Sequence, residues 1–147
     1  MLSQPFRLLL ADDHKIVRRG LRSLLEDYSD LIVVGDVDGF AVAEAAAATC
    51  PDVILFDVRA PRHEDGLKSI TQICRKVPDA RIVVCTVAED TADLTARAFE
   101  AGAVGFLSKT RCDAREVAAA IRIAARAQVF DTTESTYTFV RLATGQA

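Results

Sequence analysis

Two hydrophobic periods alternate along the chain. Phe6 to Ala11 is an apolar run broken only by Arg7, the pattern of a strand buried on both faces. Val17, Leu21, Leu24, Leu25 and Tyr28 then recur at helical spacing. Leu31 to Val37 is β-branched and aliphatic, hence a strand. Phe40 to Thr49 is alanine-rich and helical, stopped by Cys50-Pro51. Val53 to Asp57 is a third strand. Leu67, Ile70, Ile73, Cys74 and Val77 form a helical face that stops at Pro78. Ala80 to Cys85 is a strand; Leu94, Ala98 and Ala101 mark a helix that ends at Gly102. Ala103 to Leu107 is a short strand. Asp113, with Glu116 three residues on, predicts a capping box that opens the last helix.

Five strand–helix units with near-continuous apolar strands predict an α/β fold, a parallel sheet covered by helices on both faces. Right-handed crossovers leave few topologies, and the flavodoxin-like order 2-1-3-4-5 is favoured. In that order the winding reverses between strands 1 and 3, and ligands bind there at the carboxyl ends of the strands. After Gln128 the pattern weakens. Residues 1–128 therefore read as one domain, and 129–147 as a linker, a docked extension or a short last helix, with any output domain outside this sequence.

Composition narrows the function classes. With 147 residues, half of them hydrophobic, the chain suits one globular domain. A net charge of -3 gives no basic footprint for nucleic acid. No apolar stretch reaches transmembrane length and no signal-peptide pattern opens the chain, so no membrane partner and a cytoplasmic location are expected. Cys50, Cys74, Cys85 and Cys112 are scattered, which argues against a zinc site or redox pair and for free thiols. His14 reads as surface or helix cap, and His63 as loop surface.

The polar residues at the strand ends change the picture. Asp12 and Asp13 follow strand 1 and Asp57 ends strand 3, so three carboxylates should converge at the crevice. Such a cluster is costly unless a cation offsets it. Oxygen-only ligands suit a hard cation, Mg²⁺ first and Mn²⁺ second. An aspartate that attacks phosphorus becomes an acyl phosphate, and the transfer needs positioning and neutralised charge. Thr86 after strand 4 and Lys109 after strand 5 offer a hydroxyl and an ammonium for the phosphoryl oxygens. Each residue alone has a plainer explanation: a helix cap and solvated turn for the acidic pair, an ordinary strand end for Thr86, a solvated lysine for Lys109. The combination is what points to a site.

In that combination, from about Phe6 to Gln128, the chain resembles the receiver domain of a two-component response regulator. "LLLADDHKIVRRGLRSLLE" is similar to the opening of the subfamily that precedes LuxR-type helix-turn-helix domains, and "AGAVGFLSK" resembles the family's last strand and its lysine. The resemblance implies that Asp12 and Asp13 hold Mg²⁺ together with Asp57 and the backbone carbonyl of Arg59. It implies that Asp57 is the phosphoacceptor, that Thr86 and Lys109 assist, and that Thr86 and Phe106 form the switch. A histidine kinase or phosphotransfer protein would be the donor. The domain would catalyse its own phosphorylation and dephosphorylation, and DNA would be reached only through an output domain absent here.

Several positions depart from that family. In "DVRAPRHEDG" Ala60 stands where a methionine is usual, and Gly66 lies nine rather than eight positions past Asp57, so the loop is one residue longer. Thr110 replaces a common proline after Lys109. Arg59 could lie over the site, pair with Asp12 or Asp57 when no metal is bound, and slow attack by water; the plain alternative is an arginine in solvent. The longer loop also keeps a rival in view, a phosphorylation-independent interaction module. An aspartyl-phosphate phosphatase would need a second aspartate where Arg59 stands, and no GxxxxGK[ST] or GxGxxG run supports nucleotide binding. In the last helix Val117, Ile121 and Ala124 form one apolar stripe. Ala119, Ile123, Ala127 and Phe130 form a second, so the helix is either deeply buried or meets a partner, for which a symmetric dimer is plausible; the plainer alternative is alanines serving as good helix formers on a surface.

Overall fold

The computed structural model describes residues 4–59, 63–87, 92–110, 112–126, 130–132 and 138–139. The five expected units are present. Strands β1 (Phe6–Ala11), β2 (Leu31–Val37), β3 (Val53–Phe56), β4 (Arg81–Thr86) and β5 (Gly105–Ser108) alternate with helices α1 (Lys15–Leu25), α2 (Val42–Thr49), α3 (His63–Lys76), α4 (Ala92–Ala101) and α5 (Ala114–Ala125). All five strands pair in parallel in the order β2-β1-β3-β4-β5. Two short strands extend this sheet beyond the five read from sequence. β6 (Phe130–Thr132) lies parallel to β5, and β7 (Thr138–Phe139) antiparallel to β6. No helix among the described residues is long and apolar enough to cross a membrane.

β1, β3, β4 and β5 are mostly apolar because both of their faces are covered, whereas β2, at the sheet edge, carries Asp36 and an exposed Ile32. Leu9, Ile54, Phe56, Ile82, Val84 and Phe106 point to α2, α3 and α4, where Val42, Ala46, Ile70, Ile73 and Ala98 complete one core layer. Their neighbours Leu8, Leu10, Leu55, Val83, Cys85 and Leu107 pack with Leu25, Val117, Ile121 and Ala124 of α1 and α5 in the other. This is period-two alternation with no solvent face.

Helix ends follow local chemistry. α5 opens on the expected capping box: Asp113 accepts the Glu116 N–H at 2.9 Å, and Glu116 accepts the Asp113 N–H at 3.3 Å. α4 stops at Gly102, whose φ of 125° is open to glycine and strained for other residues. α2 stops at Cys50, in the left-handed region with φ 49°. Arg7 ties down the freed carbonyls there, donating to Cys50 O at 3.3 Å and Thr49 O at 2.5 Å. In α3 the backbone of His63 to Asp65 is already helical, so most of "RHED" lengthens the helix; Ala60, Pro61 and Arg62 lie outside the described residues. Gly66 packs so tightly on the Val58 carbonyl that a side chain would collide with it.

The second stripe on the last helix is shorter than the sequence suggests. α5 closes at Ala125, where the Arg126 N–H turns to Ile123 O at 3.1 Å. Phe130 belongs to β6, and Ala127 lies outside the described residues. Ala119 and Ile123 remain, half-buried. Arg122 beside them reaches back to Asp30 at 2.6 Å and lies over the Tyr28 ring at 5.4 Å.

One polar cluster joins α1 to β2. Asp36 accepts from Arg18 Nε at 3.2 Å and from Arg22 Nη1 at 2.7 Å. Burial raises the Asp36 pKa, but the hydrogen bonds from Arg22 and Arg18 outweigh it and hold the carboxyl below its ordinary value. A depressed folded value means that this stabilisation is complete above the unfolded pKa and is lost as pH falls through the folded one. Asp36→Asn is expected to lower stability by about 1–3 kcal/mol at neutral pH. The gap to the native chain should close below about pH 4; urea unfolding at neutral and acidic pH measures both.

Candidate functional site

The register of the sheet decides which side chains can meet. Ala11 pairs with Phe56, Phe56 with Val84, and Thr86 with Ser108. The residues just past these pairs, Asp12, Asp57 and Lys109, therefore emerge at one edge, beside Thr86. Backbone bonds continue the ladder into the site: Asp57 N–H donates to Ala11 O at 3.0 Å, and Lys109 N–H to Thr86 O at 3.0 Å.

Asp12 and Asp57 are 3% and 4% exposed. The Lys109 ammonium bridges them, donating to Asp57 Oδ2 at 2.8 Å and to Asp12 Oδ2. Burial works against the charge on Lys109, but the hydrogen bonds to Asp12 and Asp57 and their negative charge hold its pKa above the ordinary lysine value. This contribution to stability is therefore complete at neutral pH and is lost only as pH rises through the elevated folded value. The remaining carboxylate oxygens are held by backbone. Asp57 Oδ1 accepts the Arg59 N–H at 2.9 Å, and Asp12 Oδ1 accepts the His14 N–H at 2.9 Å. The exposed His14 ring approaches the same Asp12 oxygen at 3.2 Å.

The expected meeting of three carboxylates is reached by two. Asp13 is exposed at the rim, its Oδ1 accepting the Gly39 N–H at 3.0 Å. Among the described residues no three acidic, histidine or cysteine side chains lie close enough to hold a metal ion. Lys109 already offsets charge between Asp12 and Asp57, while Gly39 offers Asp13 a partner away from them. The Arg59 side chain is exposed and forms no ion pair with Asp12 or Asp57, because Lys109 fills that role. The donor set nevertheless suits a hard divalent cation. Two buried carboxylates share one ammonium, which leaves surplus negative charge, and a third carboxylate is adjacent in sequence.

Phe106 is fully buried, directed into the layer of α3 and α4. Cys85 lines the cavity beneath the site with Leu10, Leu55 and Lys109. Its burial pushes the thiol pKa up to about 12, so it stays a neutral core thiol. None of the four cysteines forms a disulfide. Sequence reasoning missed Arg18 and Asp36. Arg18 lines the same cavity and donates to the Asp12 backbone carbonyl at 2.5 Å. Its place one helical turn into α1, with an acidic residue in the next strand, was the available signal.

Comparison with known proteins bears on the family and the fold. Residues 8–122 match the family described as the response regulator receiver domain. Transcriptional regulatory protein LiaR of Bacillus subtilis is 41% identical over 123 residues, covering 83% of this chain and 57% of that protein. Protein-glutamate methylesterase/protein-glutamine glutaminase 1 of Geobacter metallireducens is 35% identical over 138 residues, covering 88% of this chain and 38% of that protein. The chain thus spans less than two thirds of these curated relatives. A solved LuxR-family two-component response regulator from Aurantimonas sp. SI85-9A1 superposes with a TM-score of 0.78 at 30% identity, covering 88% of this chain and 91% of that one.

Thr86 differs from its neighbours in one respect. It is fully buried, and its hydroxyl has no hydrogen-bond partner among the described residues. An unpaired buried hydroxyl is costly. Thr86→Val keeps the shape and removes the unpaired group, so it is expected to raise stability by about 1 kcal/mol, read from denaturant unfolding.

Proposed function

The chain belongs to the response regulator receiver domain family, and from that premise we propose that it is the phosphoacceptor domain of a two-component signalling protein acting in the cytoplasm. The observation that carries this reading is the Lys109 ammonium held between two buried carboxylates, Asp12 and Asp57, at the sheet edge. Asp57 is the nucleophile. One of its oxygens forms a bond to phosphorus as the P–N bond of a donor phosphohistidine breaks, and the imidazole leaves. The donor is a sensor histidine kinase or a phosphotransfer protein. The product is an acyl phosphate, which water later cleaves to inorganic phosphate and the free carboxylate.

The residues divide the work. Lys109 lies within reach of the acceptor and supplies a fixed positive charge where phosphoryl oxygens gather. Backbone N–H groups of Arg59 and His14 fix the two carboxylates in orientation. The unpartnered Thr86 hydroxyl donates to a phosphoryl oxygen, which removes its own desolvation cost and moves it toward the acceptor. Phe106, in the strand paired with β4, follows, and the surface of α4, β5 and α5 changes as a population shift. Asp12, Asp13, Asp57 and the Arg59 carbonyl would hold Mg²⁺ or Mn²⁺, which when bound neutralises charge on the phosphoryl group. Arg59 itself, exposed beside the acceptor, limits the approach of water.

The transcription-regulating relative and the LuxR-family structure favour control of transcription through a DNA-binding domain outside this chain, with a second copy as an additional partner. Incubation with Mg²⁺ and acetyl phosphate is expected to add the mass of one phosphoryl group to the native chain and none to Asp57→Asn, as read by intact mass spectrometry. A native chain that stays unmodified would instead leave a phosphorylation-independent interaction module. Once label is on Asp57, Arg59→Ala is expected to lose it about two- to tenfold faster; equal decay rates would remove Arg59 from the mechanism.

A further inference from the structure

The acidic pair follows the end of β1, and polar bonds hold it in place. Three bonds do so. Asp12 N–H donates to Val37 O at the end of β2 at 3.0 Å. Asp13 Oδ1 takes the Gly39 N–H at 3.0 Å. Arg18 Nη1 donates to Asp12 O, on the peptide that joins the two aspartates, at 2.5 Å. Two of these three anchors come from the β2–α2 junction. Only the third comes from α1.

Arg18 is itself held. Its Nε donates to Asp36 Oδ1 at 3.2 Å, while Asp36 Oδ2 is taken by Arg22 Nη1 at 2.7 Å. The side chain is largely buried, 14% exposed, and lines one cavity with Asp12, Asp57 and Lys109. The planar guanidinium can serve a carbonyl and a carboxylate at once, in fixed relative directions. A lysine at the same place could satisfy one of them. Arg22 shares Asp36 but has no bond to the acidic loop.

We propose that Arg18 is a positioning residue for the acidic pair: braced by Asp36, it fixes the Asp12–Asp13 peptide and so sets how well the site takes up a divalent cation. The inference rests on the phosphoacceptor reading and adds a residue to it. Groups one step removed from metal ligands characteristically change affinity by about 10- to 100-fold when removed. Arg22 provides an internal control, because loss of the ion cluster as a purely structural element would act through either arginine.

The test is a calorimetric titration of the full chain with Mg²⁺, repeated with Mn²⁺, alongside urea unfolding of each variant. Arg18→Met keeps most of the buried stem and is expected to bind either cation about tenfold more weakly. Arg22→Met is expected to stay within about twofold of the native chain. Arg18→Lys is expected to fall between, about threefold weaker, because one of the two bonds survives. It also decides the matter if Arg18→Met does not fold. Native affinity in the Arg18 variants overturns the inference while leaving the phosphoacceptor reading intact. Equal losses in the Arg18 and Arg22 variants, tracking stability, overturn it likewise. A native chain that binds neither cation and takes no phosphoryl group overturns the underlying reading, and the inference with it.

Discussion

Two carboxylates, withdrawn from water at the edge of the sheet and joined by one ammonium, are the constraint around which this chain is organised. Left unpaired, each would carry a desolvation penalty of several kcal/mol. The penalty is tolerated because the geometry is supplied from three different strands at once. β1 delivers Asp12, β3 delivers Asp57, and the residue after β5 delivers Lys109, with the Lys109 amide bonded to the end of β4. No local segment could build this arrangement alone. It exists only when the parallel register is correct across four strands, so the polar site and the apolar sheet specify each other.

The rest of the fold stabilises a region that breaks local rules. Apolar layers on both faces of the sheet contain Phe56, Phe106, Ile54, Leu8 and Leu9 fully buried, and burying a side chain of this size stabilises by about 1.5–3 kcal/mol. Against that background, an unpaired Thr86 hydroxyl and a clustered charge are affordable departures. They sit at the site, where departures from consistency are expected when a position serves function; the other buried unpartnered hydroxyl among the described residues is that of Thr95 in α4.

Much of this was legible in the sequence because it is encoded by short-range signals. The apolar runs gave all five core strands within one or two residues. Asp113 and Glu116 gave the start of α5, and Gly102 gave the end of α4. The strand-end residues Asp12, Asp57, Thr86 and Lys109 could be placed because topology alone fixes which edge they share. What escaped was long-range or competitive. Arg18 and Asp36 are 18 positions apart, and a cation one turn into a helix followed by an acidic residue in the next strand is too common a pattern to mark the pair. The outward turn of Asp13 depends on whether Gly39 offers it a better partner than the crevice does, a choice invisible before folding. The short β6 and β7 carry no extended apolar period, so their pairing to β5 left no readable pattern. Phe130 matches the helical spacing of the second stripe, but the helix ends at Ala125 and Phe130 opens β6.

The ion pair also bears on how such a site would change state under the proposed function. A cluster with fully matched charge and every hydrogen bond made would be a rigid structural feature. Here the balance is incomplete: two carboxylates share one cation, a third waits at the rim, and the neighbouring hydroxyl is unsatisfied. Each shortfall is relieved by the same kind of visitor, a group that brings acceptor oxygens for Thr86 and Lys109 or positive charge for the carboxylates. An equilibrium between two packings shifts only by the difference in interaction free energy that a ligand has with each. The deficits concentrated at this one edge are what give an arriving anion or cation such a difference to exploit. Thr86 and Phe106 lie on adjacent, hydrogen-bonded strands inside the buried core, so under the proposed phosphoacceptor function relief at the edge would be passed inward, and close-packed cores repack in discrete steps rather than yielding by degrees.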